Sequence, residues 1–324
     1  MGKPKVAFYW DASCGGCEEA VVDLAEKILD VVAAVDIVFW PVAMDFKKED
    51  VEAMEDGSIA ACFINGAVRT DEQVEMSELL RRKSQLVVAF GSCSHMGGIP
   101  GLANLSSRAE IMDLVYHNSP GLVNPEGTEP QVVSKVPEGE LTLPAFHESV
   151  KALDQVIDVD YYLPGCAPPP DMIMGAVLAI LEGKLPPKGE VLAPNKTLCE
   201  SCKRADTKPE KIKIKEIKRP ALHELPEDKC LLAEGFICMG PATRDGCGVR
   251  CLEVNMPCRG CFGPPKGVED QGAKFLSALC SIVDSEDPEE IEKLMETVID
   301  PAGLFYMFSL PTSMRNKFYD KIER

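Results

Sequence analysis

Fourteen cysteines in 324 residues set the chemistry open to this chain. Twelve of them fall into groups. Cys14-Gly-Gly-Cys17, Cys93 and Cys166 each follow an apolar run and lie beside glycines. Cys199-x2-Cys202, Cys230, Cys238, Cys247, Cys251, Cys258 and Cys261 crowd the C-terminal third. The segment Asp228–Gly263 lacks apolar periodicity and is interrupted by Gly and Pro every few residues. Hydrophobic burial alone does not fold such a segment, and thiolate–metal bonds are the natural cross-link. No apolar run follows Met1, so no export signal is expected, and a cytoplasmic, reducing location follows. Disulfides are then the weak reading and metal ligation the strong one.

Four soft thiolates suit an Fe–S cluster or a Zn site. A structural Zn site usually clips short, locally spaced loops. Cys14, Cys17, Cys93 and Cys166 come from three distant segments, which favours an Fe–S cluster. The eight C-terminal cysteines make two further four-ligand sites. Chain order groups Cys199, Cys202, Cys230 and Cys238 in one, and Cys247, Cys251, Cys258 and Cys261 in the other. The compact bacterial ferredoxin run C-x2-C-x2-C-x3-C-P is absent. Cys62 lies in an apolar strand pattern and Cys280 in a helical one with Phe275, Leu276 and Leu279, so both read as core. Glu18 and Glu19 read first as carboxylates that start a helix, with a proton relay as the second reading. His95 reads as a surface-loop residue rather than a hydrogen-bond donor to a cluster sulfur.

The elements that must position these thiols alternate. Strands are expected at Lys5–Trp10, Asp36–Trp40, Ile59–Val68, Gln85–Phe90 and Val159–Leu163. Helical periodicity runs through Val21, Leu24, Ala25, Ile28, Leu29 and Val32, then over Asp71–Ser84, Arg108–Tyr116, Phe146–Val156 and Asp171–Leu181. His95–Leu102 and Asn118–Leu143 read as loops. The pattern predicts an α/β fold, a flavodoxin-like doubly wound parallel sheet over residues 1–190. In such sheets ligands gather outside the carboxyl ends of the strands. A smaller, irregular iron–sulfur domain is expected over 191–324. Its basic run Lys208–Arg219 reads as a solvated arm rather than a docking strand. Gln271–Asp284 and Pro288–Val298 read as helices, and Gly303–Leu310 as an aromatic tail that covers its own core or contacts a partner.

The net charge of -18 argues against nucleic acid or an anionic membrane as the main partner. The most apolar stretches are too short to span a bilayer. No G-x-G-x-x-G follows a strand and no P-loop is present. Three metal sites without a substrate-pocket signature describe a conduit for electrons, with the reaction on another subunit.

CGGCEE at 14–19, GSCSHMGG at 91–98, LPGCAPPP at 163–170 and the eight later cysteines together resemble the small subunit of [NiFe] hydrogenases over nearly the whole chain. ICMGPAT at 237–243, PCRGCFGP at 257–264 and VEDQGAK at 268–274 are most similar to the cytoplasmic methyl-viologen-reducing, F420-non-reducing type. The resemblance implies a large subunit carrying nickel and iron, and three [4Fe–4S] clusters in this chain. Cys14, Cys17, Cys93 and Cys166 would hold the proximal cluster. Cys247, Cys251, Cys258 and Cys261 would hold the medial one, and Cys199, Cys202, Cys230 and Cys238 the distal one. It also implies a small [2Fe–2S] subunit leading to the heterodisulfide reductase flavoprotein of methanogenesis. Membrane-bound uptake members carry His where this chain has Cys199 and Pro where it has Cys251, so an all-thiolate medial [4Fe–4S] site is expected here. An NAD(P)- or F420-coupled hydrogenase is the alternative. The quinone-reductase subunit of respiratory complex I, which usually has adjacent cysteines and lacks the C-terminal eight, and a zinc-stapled scaffold are further rivals.

Overall fold

Five strands form one sheet in the computed structural model, which describes residues 2–315; Met1 and the end of the expected second domain, 316–324, lie outside the described residues. They are β1 (Lys5–Trp10), β2 (Asp36–Phe39), β3 (Ile59–Asn65), β4 (Ser84–Phe90) and β5 (Tyr161–Leu163). Every pairing is parallel and the order is 2-1-3-4-5, the flavodoxin-like winding. Successive side chains of a strand face opposite sides, so the apolar runs of β1, β3 and β4 feed two cores. Phe8, Phe63 and Phe90 pack on one face with α1 (Gly16–Val22), α2 (Ile28–Ala34) and α5 (Pro170–Leu181). Ala7, Cys62, Ile64 and Val87 pack on the other with Leu79 and Leu80 of α3 (Asp71–Lys83). Thr70 and Gln73 start α3 with a reciprocal capping box.

Asp160, buried at the start of β5, pins that strand. Its carboxylate accepts from Arg81 Nη1 at 2.6 Å, from the Val87 amide at 2.8 Å and from Lys188. Burial alone would raise its pKa, but the bonds from Lys188, Arg81 and Val87 outweigh it and hold the group below 3.8. A depressed folded-state value contributes stability that is present above 3.8 and lost as pH falls through the folded value. Asp160→Asn is therefore expected to cost about 1–2 kcal/mol at neutral pH, the exposed Lys188 and half-buried Arg81 partners being screened by solvent, and to flatten the acid side of the stability profile. Denaturant melts at several pH values measure both effects.

Several elements differ from their sequence patterns. The helix after Cys14 is broken, with Ala25 at φ 51°. The buried stripe is Cys17, Ala20, Val21, Leu24, Val31 and Val35, leaving Leu29 and Val32 exposed. Two overlapping apolar stripes run along this segment, and the sheet takes the one that starts at Cys17. Strand β3 stops at Asn65, because Gly66 (φ +91°) turns against Asp11 and Val68–Thr70 pairs instead with Phe146–Lys151. That pairing makes Phe146–Lys151 a strand, not a helix. The 118–143 segment contains a two-stranded hairpin, Val133–Val136 with Gly139–Thr142. The segment expected as a glycine loop at 95–102 is instead the short helix α4 (Ser92–Met96) followed by a 3-10 turn over Ile99–Leu105.

A third core lies between Leu198 and Leu310. There α6 (Arg250–Glu253) contributes Leu252, and α7 (Gln271–Ile282) packs on α9 (Pro301–Phe305), with α8 (Pro288–Glu296) between these two in sequence. Phe275 and Leu279 face this core, while Cys280, one position further round α7, is exposed rather than buried. The aromatic tail covers its own core: Phe305 packs on Phe275 at 5.7 Å. It also ties the two halves together, since Gly98 N donates to Phe308 O at 3.1 Å and Gln155 Nε2 to Pro311 O at 3.0 Å. The basic run docks rather than floating free. Ile214 is buried and bridges Val283, and Lys218 bridges Phe236.

Candidate metal centres

Cys14 and Cys17 follow β1, Cys93 follows β4, and Cys166 follows β5, so parallel topology brings all four to one sheet edge. Burial, then repulsion from Cys93, Cys166 and Cys14, pushes the Cys17 thiol far up. Burial, then Cys166 and Cys14, pushes Cys93 up to about 12. The backbone makes room for these sulfurs. A Cβ on Gly98 (φ +54°) would lie 2.5 Å from Cys93 Sγ, and one on Gly91 (φ +86°) would collide with Cys17 Sγ. Cys17 and Cys93 are buried, whereas Cys14 and Cys166 open to solvent, and Trp10, 38 % exposed, lies over Gly15.

Glu18 and Glu19 have opposite environments. Glu18 is buried and accepts from Asn65 Nδ2 at 2.6 Å and from Trp40 Nε1. Burial raises its pKa, and the Trp40 and Asn65 bonds oppose that. Glu19 is exposed. Neither Trp40 nor Asn65 carried a sequence signal for this contact. His95 is not on a surface loop. It sits half-buried on α4 with its ring 4.7 Å from Tyr162, and burial, then Arg244, pushes it down to about 4.

Cys199, Cys202, Cys230 and Cys238 line one cavity of ≈ 240 Å³. Burial, then Cys238, Cys230 and Cys202, pushes Cys199 up to about 12. The amides of Gly240 and Cys258 donate to Cys238 Sγ, the latter at 3.4 Å. Cys247, Cys251 and Cys261 form a neighbouring group. Burial and then Cys247 raise Cys251, and burial sends Cys261 to about 12 despite the Cys166 amide donating to it. Cys258 lies between groups. Burial and then Cys238 raise its pKa, with Cys261 a smaller cause. Cys261 thus meets the Cys166 amide, and Cys238 meets the Cys258 amide.

Thiols buried this close cannot all ionise on their own. Burial and mutual repulsion both hold protons on Cys17, Cys93, Cys199 and Cys258, and an iron core bound there would supply the missing positive charge. Amide N–H groups aimed at the sulfurs fit the same group, since hydrogen bonds to cluster sulfurs tune it. Among the described residues, no three His, Cys, Asp or Glu side chains are placed to hold a single metal ion. No disulfide links the described cysteines, and no described helix is long and apolar enough to cross a membrane.

A parallel sheet with four thiols on its carboxyl edge marks an α/β subunit built around a soft-metal site, and the family model "NADH ubiquinone oxidoreductase, 20 Kd subunit" matches residues 14–180. The chain is 42% identical over 318 residues to the iron-sulfur subunit of the F420-non-reducing hydrogenase of Archaeoglobus profundus, covering 97% of this chain and 98% of that one. It is 38% identical to a subunit of the F420-non-reducing hydrogenase of Methanothermobacter thermautotrophicus, covering 96% of each. A chain of the [NiFeSe] hydrogenase of Desulfovibrio vulgaris Hildenborough shares the fold, with TM-score 0.52 at 19% identity over 82% of this chain and 95% of that one. The chain belongs to the small subunits of the F420-non-reducing hydrogenases, within that wider family. It is therefore an iron–sulfur subunit of a hydrogenase and works with a large subunit.

Proposed function

We propose that this chain is the wire of its hydrogenase, with three [4Fe–4S] clusters held in a row. Cys14, Cys17, Cys93 and Cys166 hold the proximal cluster. Cys247, Cys251, Cys258 and Cys261 hold the medial one, and Cys199, Cys202, Cys230 and Cys238 the distal one. When bound, such clusters pass single electrons. The contact of the groups in sequence, Cys166 with Cys261 and then Cys258 with Cys238, carries this reading. The protein's own part is to exclude water from Cys17, Cys238 and Cys258, to fix the sulfurs with amide donors, and to hold neighbouring groups in contact.

The open side of the proximal group, with Cys14, Cys166 and Trp10, is where the large subunit and its nickel–iron site would dock. Of the two carboxylates after Cys17, a proton relay would use Glu18, which is buried beside that group. Residues 1–190 and 191–324 act as a sheet domain and a cluster domain. The partners beyond the distal group are a small [2Fe–2S] protein and a heterodisulfide reductase flavoprotein, in the cytoplasm. Relatives of the NAD-reducing type match less, at 25% identity over 56% of this chain. Anaerobic affinity purification of the tagged chain tests the assembly. Recovery of a large subunit with iron–sulfur and flavin subunits supports it; recovery of an NAD-binding flavoprotein instead overturns the acceptor assignment.

A further inference from the structure

The wire leaves one feature of the sequence unused. Between Lys203 and Arg219 stand eight Lys or Arg against three Asp or Glu, in a chain of net charge -18. Lys208 and Ile212 line the distal cavity together with its four thiols. From there the segment crosses the loop that joins Cys230 to Cys238. Lys218 N donates to Gly235 O at 2.8 Å, and a Cβ on Gly235 would lie 2.7 Å from Glu216 O. Ile212, Ile214 and Ile217 turn inward onto the third core. The cations between them turn outward. Lys213 and Lys215 keep 65% and 81% of their side chains exposed, although Asp284 pairs with both. Lys203 is 83% exposed beside Glu253. Lys211 and Arg219 are exposed.

We propose that this ribbon is the docking face for an acidic redox protein, a small electron acceptor whose own centre is ringed by carboxylates. The proposal rests on reading the distal group as the exit of the wire. The ribbon forms part of the wall of the distal cavity, so an acceptor seated on it comes close to that group. The ribbon's exposed cations outnumber its own carboxylates, and on a negative protein such a face steers an acidic partner to this spot and turns its acidic side inward. Elsewhere the chain repels the same partner, which gives orientation as well as speed. A nucleic acid, extending beyond the patch, meets the negative remainder of the surface.

The test uses the purified heterodimer of small and large subunits, with an acidic bacterial ferredoxin as the probe and methyl viologen as the small-molecule control. In the wild type, the second-order rate constant for hydrogen-dependent ferredoxin reduction should fall steeply with salt. A rate that is flat or rises with salt overturns the proposal, and this measurement needs no variant. The triple variant K211Q/K215Q/R219Q should lose about tenfold in that rate constant at low salt. It should show a shallower salt dependence while keeping wild-type iron content and viologen rate. K211R/K215R should behave as the wild type. An unchanged ferredoxin rate in the triple variant overturns the proposal, as does saturable DNA binding at physiological salt that the triple variant loses. Absence of a distal-cluster EPR signal in the wild type is a separate result, which defeats the wire reading itself.

Discussion

Gly91→Ala is expected to empty the proximal site and abolish hydrogen-dependent electron delivery. Gly91 closes β4 at φ 86° and ψ 166°, a region essentially reserved for glycine and costing about 1–3 kcal/mol for other residues. The added methyl would also collide with Cys17 Sγ. Cys17 is buried, so its sulfur has little room to retreat. The expected results are the loss of about four irons per chain, a lower melting temperature, and background rates with every acceptor. Gly57→Ala is the control, because Gly57 has φ +69° with nothing within 4 Å of the added Cβ. It should show backbone strain with full iron content. Full iron in Gly91→Ala would contradict a cluster held at this edge by Cys17.

Cys251→Ala is expected to convert the medial site rather than destroy it. Cys251 sits on the single-turn helix α6, half-buried beside Cys247. Two of its three companions have independent supports. Cys258 is buried in the third core, and Cys261 is held by the Cys166 amide. Removing one of four thiolates leaves a site for three irons, with about one iron lost. It also removes one negative charge, which raises the potential. Delivery to a low-potential acceptor should collapse, while a high-potential dye should still be reduced. Iron analysis and the two acceptor assays separate these outcomes. Loss of all four medial irons would mean that Cys251 is structurally indispensable. An unchanged iron count would remove Cys251 from the ligand set.

The parallel sheet was legible in the sequence because buried strands carry their signal in uninterrupted apolar runs, and KVAFYW and QLVVAF are such runs. The thiols at its carboxyl edge were legible because each follows a strand. What failed was local periodicity without tertiary context. Phe146–Lys151 became a strand only because Val68–Thr70 pairs with it, a contact 76 or more positions away in sequence. Cys280 and Phe275 share a helix but not a face, and a one-residue error in phase moved Cys280 from surface to core. His95 gave no sign of its burial, because Tyr162 reaches it from β5 and Arg244 from the third core's half. The basic run misled for a similar reason: three inward isoleucines are too irregularly spaced to read as a strand.

That twelve cysteines form three all-thiolate centres in a row is tested most directly by a redox titration of the anaerobically purified heterodimer, followed by EPR. Only [4Fe–4S] signals are predicted, from three mutually interacting centres at low potential. A [3Fe–4S] signal at high potential would contradict the medial assignment, and a colourless protein with stoichiometric zinc would contradict the wire.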